Sequence, residues 1–420
     1  MSKLISCNIH GAIRVSALAL RIIDTFEFQR LRDIKQLGLC YLVYPTAVHT
    51  RFEHSLGVYH LAGKMLDILL QKYPVQEYEI PGLGRRWLTP KLAEYIKIAG
   101  LCHDIGHGPF SHIFDHLVSG VDHPNRRHEV RSCLILEKIC RRIGIKQKYI
   151  DFMKSIIHPG PEHVGALYQI VSNNLNNIDV DKFDYIIRDA LNLGQNVSFD
   201  PNRLINEIII DIKGNIAFPK HSSINVYELF HSRYLLHKKA YHHKTVKILE
   251  IMVQDIFRMM DPILHISNSI LDMEEFCRYT DHSIFSQLIL PEHPLSLTGA
   301  ARIYERIHLR HFYKLLAQDD SLERLQEYQK SIQNVFKVPP DQLTITICEI
   351  GFVNPDKPDP FENTYFYDKK EDGHTFVLQK KYYSNLIGRS SETFYLLLLK
   401  DEQFEQIVPF MRDYLKKLKI

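Results

Sequence analysis

A histidine followed directly by an aspartate, His103-Asp104, ends an apolar helical stretch that begins near Ile96. The run GHGPF then breaks the helix, and Ser111 can cap a new one. Two adjacent side chains at a helix end can both point at one metal ion. The dipeptide alone is a weak signal, because with 23 histidines in 420 residues about one such pair is expected by chance. A hydrogen-bonded capping pair is an equally good interpretation.

The dipeptide has neighbours of the same chemical type. His107 and His112 follow it in the run HDIGHGPFSH, and His54 precedes it in HTRFEHSLG. His128 lies downstream in RRHEV, and Asp181 lies in IDVDKFDY. Imidazole and carboxylate ligands suit a divalent ion that keeps open positions for water and substrate, whereas thiolates would close a structural site. Additional histidines suit a phosphate-ester hydrolase, which needs a proton donor for the leaving oxygen.

The elements that must position these side chains are mostly helices. Apolar residues recur at helical spacing through most of the first three hundred residues, for example at Leu61, Met65 and Leu69. One stretch, from Ile208 to Phe218, alternates apolar and polar residues around a Lys-Gly-Asn turn and predicts a small β-hairpin. The pattern therefore predicts a mainly α fold.

The character of the chain changes near residue 320. Beyond it we predict a charged helix, three strands and an amphipathic helix, at Leu322 to Phe336, Leu343 to Ile350, Thr364 to Tyr367, Thr375 to Leu378 and Gln403 to Leu418. This order predicts a small α+β lobe. The expected organisation is a catalytic domain at residues 1–320 that also carries activator-site elements, and a regulatory or oligomerisation lobe at residues 321–420.

The overall composition sets limits on the class of protein. The chain is 45% hydrophobic with a net charge of +3, so nothing in the total requires a nucleic acid or a membrane as partner. Its seven cysteines are scattered and form no CxxC pair, which fits a reducing, intracellular setting. The N-terminus has no apolar core of a signal peptide and no long apolar span occurs. We expect a soluble protein, in the cytoplasm rather than the nucleus.

Several long runs carry a family resemblance: IKQLG, HTRFEHSLGVYHLAG, AGLCHDIGHGPFSHIFD, IDVDKFDYIIRD and FHSRYLLHKKAYHHK. In these runs the chain resembles the SAM-and-HD-domain deoxynucleoside triphosphate triphosphohydrolases, from about Lys3 to about Lys314 and more faintly through the C-terminal lobe. The chain begins almost at the start of the HD region, without the SAM domain. The resemblance implies an HD-domain helical core with a small β-hairpin and a C-terminal α+β lobe.

The resemblance also implies an active site. The metal ligands would be His54, His103, Asp104 and Asp181. The implied reaction is attack of water on the α-phosphorus of a deoxynucleoside triphosphate (dNTP), which releases the nucleoside and inorganic triphosphate. The implied α-phosphate contacts and proton donors are His107, His112 and His128, with His112 as the acid, oriented by Asp115. The ion could be iron, manganese, magnesium, zinc or nickel.

Substrate contacts follow from the same resemblance. The triphosphate would be held by Arg51, Lys182, Tyr185 and Arg233. The sugar 3′-OH would be held by Gln36 and Asp189, the 2′ position crowded by Leu37 and Tyr241, and the pocket completed by His237 and His242. His242 stands where the vertebrate enzyme has glutamine, close to the base. On the sequence alone, Lys182 and Arg233 could equally be exposed salt-bridge partners.

A regulatory surface is implied as well, with GTP or dGTP and dNTPs as activators of a homotetramer that is a dimer without nucleotide. The matching guanine-site residues are Lys3, Ile5, Asp24, Gln29, Arg32, Arg310 and Lys314. The matching second-site residues are Val43, Tyr44, Arg203, Asn225, His243 and Lys244. Here Lys220 and His221 stand where two further cations are expected, and Lys380 and Lys381 lie near another activator contact. Without the resemblance, DTFEFQRLRDIKQLG is equally an amphipathic helix with a charged face.

Two other functions compete with this one. An HD phosphodiesterase or nuclease would need no cradle for three phosphates, so Lys182, Tyr185 and Arg233 favour the triphosphohydrolase. A nucleic-acid-binding regulatory protein derived from the enzyme would be signalled by a lost metal ligand, and all four are present. The small net charge argues against a dominant nucleic-acid surface, although an oligomer could assemble a weak one for single strands.

Overall fold

The structure is a computed structural model that describes residues 2–289, 294–353, 359–370, 374–379 and 391–418. The expected activator contacts Lys380 and Lys381 lie outside these ranges. Helices dominate the described residues, as the apolar periodicity predicts, and the small sheets are separate from one another. No helix in these ranges is long and apolar enough to cross a membrane.

The α-helices are α1 Ala17–Ile23, α2 Phe26–Gln29, α3 Arg51–Lys72, α4 Pro90–Cys102, α5 His112–Leu117, α6 His128–Arg142, α7 Gln147–Ile157, α8 Val180–Asn192, α9 Pro201–Ile205, α10 Ser223–Leu236, α11 Lys244–Leu264, α12 Met273–Phe276, α13 Asp281–Ile289, α14 Thr298–His308, α15 Leu322–Phe336 and α16 Val408–Leu418. A π-helix, His237–Tyr241, extends α10. Its wider turns are a common feature of functional sites.

The strands are β1 Lys3–Cys7, β2 Gly11–Val15, β3 Glu77–Ile80, β4 Gly84–Trp87, β5 Ile209–Ile210, β6 Ile216–Pro219, β7 Lys314–Asp319, β8 Leu343–Gly351, β9 Tyr365–Tyr367, β10 Thr375–Val377 and β11 Ser391–Leu399. Strands β1 and β2 form an antiparallel hairpin, and so do β3 and β4. The predicted hairpin near residue 210 is confirmed as β5 and β6.

Helix α3 is the centre of the catalytic region and packs against α4 and α8. It begins with a capping box, in which Thr50 and Glu53 satisfy each other's backbone N–H groups. Thr89 caps α4 with its side chain, and Asp179 caps α8 in the same way. The predicted metal ligands lie at the capped N-terminal ends of α3 and α8 and at the C-terminal end of α4, which packs against α3.

The C-terminal layer is a three-stranded antiparallel sheet in the order β7-β11-β8. Helices α15 and α16 pack against it around a separate apolar core that includes Leu325, Ile332 and Met411. The layer begins at β7, a few residues before the boundary expected at 320. Strands β9 and β10, predicted as part of this lobe, lie instead in a separate four-stranded sheet in the order β10-β9-β6-β5, where β9 pairs in parallel with β6 of the catalytic region.

Candidate metal centre and surrounding pockets

Three helix ends bring the four predicted metal ligands together. The Nε2 atoms of His54 and His103 lie 3.3 Å apart. The Oδ1 atom of Asp181 lies 3.1 Å from the first of these nitrogens and 3.3 Å from the second. Asp104 completes the group, with oxygens 3.7 Å from His54 Nε2 and 3.4 Å from His103 Nε2. His54, His103 and Asp181 thus direct ligand atoms to one point, and Asp104 borders it with its two oxygens while it also groups with His107 and His128.

These separations fit a bound divalent ion. Ligand bonds of about 2.1 Å at angles of about 90 to 120° would place neighbouring ligand atoms about 3.0 to 3.6 Å apart. Two imidazoles and two carboxylates match the ligand set that borderline divalent ions prefer in catalytic sites. Burial lowers the pKa of His54, but hydrogen bonds to Asp181 and Asp184 more than offset this effect and raise it to about 10. The carboxylates around His54 therefore favour positive charge at this point, which is the charge that a metal ion brings.

The other ring nitrogen of each histidine ligand has a hydrogen-bond acceptor. The Nδ1 atom of His103 lies 2.8 Å from the carbonyl oxygen of Gly100, and that of His54 lies 2.8 Å from Oδ2 of Asp184. When each Nδ1–H donates to its acceptor, the Nε2 lone pair is left for a metal. The sequence analysis did not single out Asp184, although it lies three residues after Asp181 on the same helix face.

Asp184 is fully buried, and its carboxylate accepts hydrogen bonds from three side chains. Besides His54 it accepts hydrogen bonds from His10 Nε2 at 2.6 Å and from Arg188 Nε at 2.8 Å. Burial raises the pKa of Asp184, but Arg188 and the histidines hold it well below its ordinary value. The carboxylate fits only because residue 57 is glycine, since a Cβ there would lie 1.8 Å from its Oδ1.

Asp104 is fixed by Arg51 in a buried ion pair. The Nε atom of Arg51 also donates to Ser111 Oγ at 3.0 Å. Ser111 was expected to cap α5, but its side chain makes no capping hydrogen bond and serves Arg51 instead. Phe110 and Ser111 both have a positive φ, which non-glycine residues rarely adopt, and buried Asp281 accepts the Phe110 N–H at 2.6 Å. The sequence analysis missed Asp281.

The four predicted acid–base residues lie on one side of the metal ligands. His107 Nε2 is 3.4 Å from Asp104 Oδ1, and the His107 and His128 rings stack at 3.9 Å. Asp115 lies 3.4 Å from His128 Nδ1 and 3.9 Å from His112 Nδ1, so it is closer to His128. The His112 side chain is 81% exposed and accessible to a ligand. Burial, with Arg51 and His128, lowers the pKa of His107 well below its ordinary value, so this ring is neutral.

The remaining predicted triphosphate contacts lie on α8 and α10. Lys182 follows Asp181, and its Nζ lies 3.2 Å from Asp179. Burial lowers the pKa of Lys182, but Asp179 more than offsets this, so the amine stays charged. The Tyr185 ring lies 6.5 Å from that of His54. Arg233 donates to the Gly351 carbonyl oxygen in the C-terminal layer.

The predicted sugar contacts meet at Asp189. One of its oxygens lies 2.8 Å from His49 Nε2, and the other accepts the Tyr241 hydroxyl at 2.5 Å. Gln36 is linked to the same place because its N–H donates to the His49 carbonyl oxygen. Leu37 follows it and packs partly buried against the core. The sequence analysis missed His49.

Several buried polar atoms around this site have no hydrogen-bond partner among the described residues: Gln36 Oε1, His107 Nδ1, His237 Nδ1 and His242 Nδ1. His237 stacks on His242 with ring centroids 5.4 Å apart, within and just beyond the π-helix. Buried unpaired polar atoms are costly unless a ligand or water completes them. These atoms are therefore available to hydrogen-bond a polar ligand or water.

The predicted guanine-site residues fall into two places. Ile5 and Arg32 line a cavity of about 440 Å³ between the β1–β2 hairpin and helices α3 and α8. Gln29 accepts a hydrogen bond from Arg32 at 2.8 Å, and Asp24 ends α1. Lys3 begins β1. Arg310 and Lys314 lie elsewhere, with bonds to the Leu42 carbonyl oxygen and to Glu405 respectively.

The predicted second-site residues are also spread over several elements. Tyr44, next to Val43, packs edge-on against His243, which caps α11 ahead of Lys244. Asn225 bonds the backbone of Asp200 beside α9, which carries Arg203. The two cations that depart from the family pattern are paired with carboxylates, Lys220 with Asp368 and His221 with Glu207.

A profile of the HD-domain family matches residues 51–189, which include all four metal ligands. A putative HD domain-containing protein, L394, of Acanthamoeba polyphaga mimivirus is 46% identical over 97% of this chain and 94% of its own length. A deoxynucleoside triphosphate triphosphohydrolase SAMHD1 homolog of Dictyostelium discoideum is 35% identical over 99% of this chain and 81% of its own. The human deoxynucleoside triphosphate triphosphohydrolase SAMHD1 is 32% identical over 92% and 68% respectively.

Proposed function

This chain belongs to the SAMHD1 family of deoxynucleoside triphosphate triphosphohydrolases, and on that premise we propose that it cleaves dNTPs to deoxynucleoside and inorganic triphosphate at the centre formed by His54, His103, Asp104 and Asp181. The observation that carries the proposal is the convergence of these four ligands beside three cations. Arg51, Lys182 and Arg233 suit a substrate with several negative charges, such as a triphosphate. A simple phosphodiester would not need three cations.

Metal dependence follows from the ligand set. A bound divalent ion would polarise a phosphate oxygen and lower the pKa of a water molecule. The chain's own residues would bind and position the phosphates. Arg51 holds Asp104 in place and offers a guanidinium to the phosphates, while Lys182 and Tyr185 line the other side. Fixed charges in a site that excludes water stabilise the charge that develops on the phosphate.

Proton transfer is assigned to the histidine group. The attacking water oxygen forms a bond to the α-phosphorus, and the bond from that phosphorus to the 5′ oxygen breaks. The 5′ oxygen leaves as a hydroxyl after it takes a proton, for which accessible His112 is our candidate. Burial, with Arg51 and His128, lowers the pKa of His112 to about 4, and Asp115, at 3.9 Å, opposes this effect as the negative charge of a bound triphosphate also would. Neutral His107 would donate a hydrogen bond to the phosphate without carrying charge.

Selection of deoxynucleotides is assigned to the sugar pocket. Gln36 and Asp189 would bond the 3′-OH, while Leu37 and Tyr241 leave little room for a 2′-OH. The Tyr241 hydroxyl donates its proton to Asp189, so it could meet a ribose 2′-OH only as an acceptor. His237 and His242 would face the base, and base preference is assigned to this pair.

Regulation is proposed to follow the family pattern, with GTP or dGTP at the cavity lined by Ile5 and Arg32, and a dNTP at the second site. The cavity volume of about 440 Å³ is in the range of small-molecule sites. The cations Arg310 and Lys314 do not line that cavity. A neighbouring copy would have to bring them to the nucleotide, and this requirement favours a homotetramer that assembles around bound nucleotides from dimers.

The test is direct. We expect purified protein with a divalent metal and each dNTP to release nucleoside and triphosphate, and GTP to increase the rate. Asp181→Ala should abolish turnover because it removes a ligand. Asp151→Ala, which removes an exposed carboxylate on α7, should leave it unchanged. No turnover of any dNTP by metal-loaded protein under all activator combinations would refute the proposal, and activity in Asp181→Ala would refute the metal assignment.

A further inference from the structure

The tip of the β1–β2 hairpin reaches the metal centre through one carboxylate. His10 lies in the turn of the hairpin with its side chain only 6% exposed, and its Nε2 is 2.6 Å from Asp184 Oδ1. The second oxygen of Asp184 holds the metal ligand His54. Because Asp184 is ionised and pairs with Arg188, it can only accept, so His10 donates.

Strand β1, which leads to His10, forms one wall of the cavity that Ile5 and Arg32 line, here called the hairpin cavity. Residues 5 to 8 line it on the hairpin side, and Phe52 and Leu56 of α3 line the opposite side. His54 lies between these two residues on the same turns of α3. The cavity and the metal centre are thus back to back, separated by the first turns of one helix.

A second residue, Arg188, also links the cavity to Asp184. Arg188 lines the cavity, and its guanidinium bonds both oxygens of Asp184, with Nε at 2.8 Å and Nη2 at 2.9 Å. Its Nη2 also lies 3.6 Å from Cys7 Sγ at the end of β1. Both partners that hold Asp184 against His54 therefore belong to elements that border the cavity. A ligand bound in this cavity would therefore act on His10 and Arg188, which orient His54 through Asp184.

We propose that His10 is a positioning residue for the metal centre, and that it couples occupancy of the hairpin cavity to metal affinity through Asp184 and His54. The coupling half of this proposal rests on the proposed nucleotide activation, whereas the positioning half does not. If nucleotide and metal are coupled, each must change the affinity of the other by the same factor.

The size of the effect can be bounded. Loss of a partner one bond away from a metal ligand typically lowers metal affinity about 10- to 100-fold. His10 acts one bond further out, and Arg188 still holds Asp184 in its absence. We therefore expect His10→Ala to weaken metal binding by about tenfold, the lower end of that range.

The experiment uses the full chain freed of metal and titrated with Co²⁺ at free concentrations fixed by a metal buffer. The visible absorption of Co²⁺ reports its binding to the histidine ligands separately from any ion carried by nucleotide. The titration is run with and without saturating GTP, and GTP affinity is measured with and without Co²⁺. The wild-type chain should show equal shifts in the two affinities.

Two variants and one control decide the outcome. His10→Ala should weaken Co²⁺ binding about tenfold and remove the effect of GTP on it. His10→Gln should fall between this variant and the wild type, because an amide N–H can still reach Asp184, and it replaces the alanine variant if that one does not fold. His60→Ala is the control, since its ring lies 5.2 Å from that of His10 but Asp184 takes its hydrogen bonds from other described residues.

The outcomes separate the two parts of the proposal. Unchanged Co²⁺ affinity in both His10 variants would overturn the positioning role. Weakened Co²⁺ affinity with an unchanged response to GTP would overturn the coupling. If GTP gave no thermal shift of the wild-type chain, the proposed activation would fail, and the Co²⁺ affinity of the variants would still decide the positioning role.

Discussion

Single residues outside the proposed ligand set hold the side chains of the candidate metal centre in place. Asp184 fixes His54, Arg51 fixes Asp104, and a backbone carbonyl fixes His103. Asp281 acts further out, since it accepts the N–H groups of Phe110 and Lys35 at 2.6 and 2.9 Å. These bonds hold the backbone of Phe110 at positive φ. The next residue, Ser111, accepts a hydrogen bond from Arg51.

Asp281 leads to a prediction about pH. Burial raises its pKa to about 6, against the opposing effect of the two backbone N–H groups. Because the folded-state pKa lies above the ordinary value of about 4, this carboxyl contributes most to stability when protonated, and the contribution is lost as pH rises from about 4 through about 6. The free energy of unfolding of the wild type, relative to Asp281→Asn, should fall by roughly 2 to 3 kcal/mol over that range.

Urea unfolding of both chains between pH 4 and 7.5 measures this difference. The variant is a suitable reference because its side chain does not titrate. A difference that stays constant with pH would show that the carboxyl is ionised throughout, as its two N–H donors alone would favour.

At the scale of elements, the metal centre requires that α3 and α8 approach closely. Gly57 on α3 makes this approach feasible, and its neighbour Asp184 is buried and bonded on both oxygens. We expect Gly57→Ala to displace Asp184, lower the free energy of unfolding by about 1 to 3 kcal/mol and weaken metal binding at least tenfold.

Gly63→Ala is the matched control for that prediction. It lies on the same helix, and its Cβ would meet only the end of the flexible Lys97 side chain, at 3.3 Å. Alanine favours the helix over glycine by up to about 1 kcal/mol, so this variant should be as stable as the wild type or slightly more so. Denaturant unfolding and metal titration of both variants test the contrast, and equal behaviour of the two would contradict it.

The sequence predicts elements well where periodicity is strong. Helix α15 has the predicted bounds, and β8 lies within one residue of the predicted strand. Strand β11 was not predicted, because its second part, Phe394 to Leu399, is continuously apolar rather than alternating, as buried central strands often are. The β1–β2 and β3–β4 hairpins were also missed. Ile13 and Val15 of β2 alternate with an exposed arginine, but strands of four or five residues show too few apolar positions for the alternation to be recognised.

The residues of the candidate site also differ in whether the sequence alone suggests them. His54, His103, Asp104 and Asp181 lie in long runs that carry the family resemblance, so they could be proposed as ligands before the structure. The structure brings them close together, and their binding of a metal stays a prediction. Residues such as Asp184, Asp281 and His10 act through long-range contacts. His10 and Asp184 are 174 residues apart in the chain, and no spacing rule links them. Their roles depend on tertiary packing, which only a structure gives.

At the scale of the whole molecule, the residues predicted to bind the guanine nucleotide do not meet in one pocket of a single chain. Ile5 and Arg32 line the hairpin cavity, whereas Arg310 bonds the Leu42 carbonyl oxygen and Lys314 pairs with Glu405. A triphosphate in the cavity would need further cations than the lining residues supply, so copies of the chain would have to combine. Association should then depend on nucleotide.

Arg310→Ala tests this requirement. We expect sedimentation velocity of the wild type to shift from dimer to tetramer on addition of GTP and a dNTP, and the shift to need at least tenfold more GTP in the variant, because one phosphate contact is worth about 1.5 to 3 kcal/mol. Arg302→Ala, which removes an exposed arginine from neighbouring α14, should assemble like the wild type. Equal assembly of the two variants would mean that Arg310 does not contact the nucleotide, and a wild type whose mass is independent of nucleotide would remove the need for a shared site.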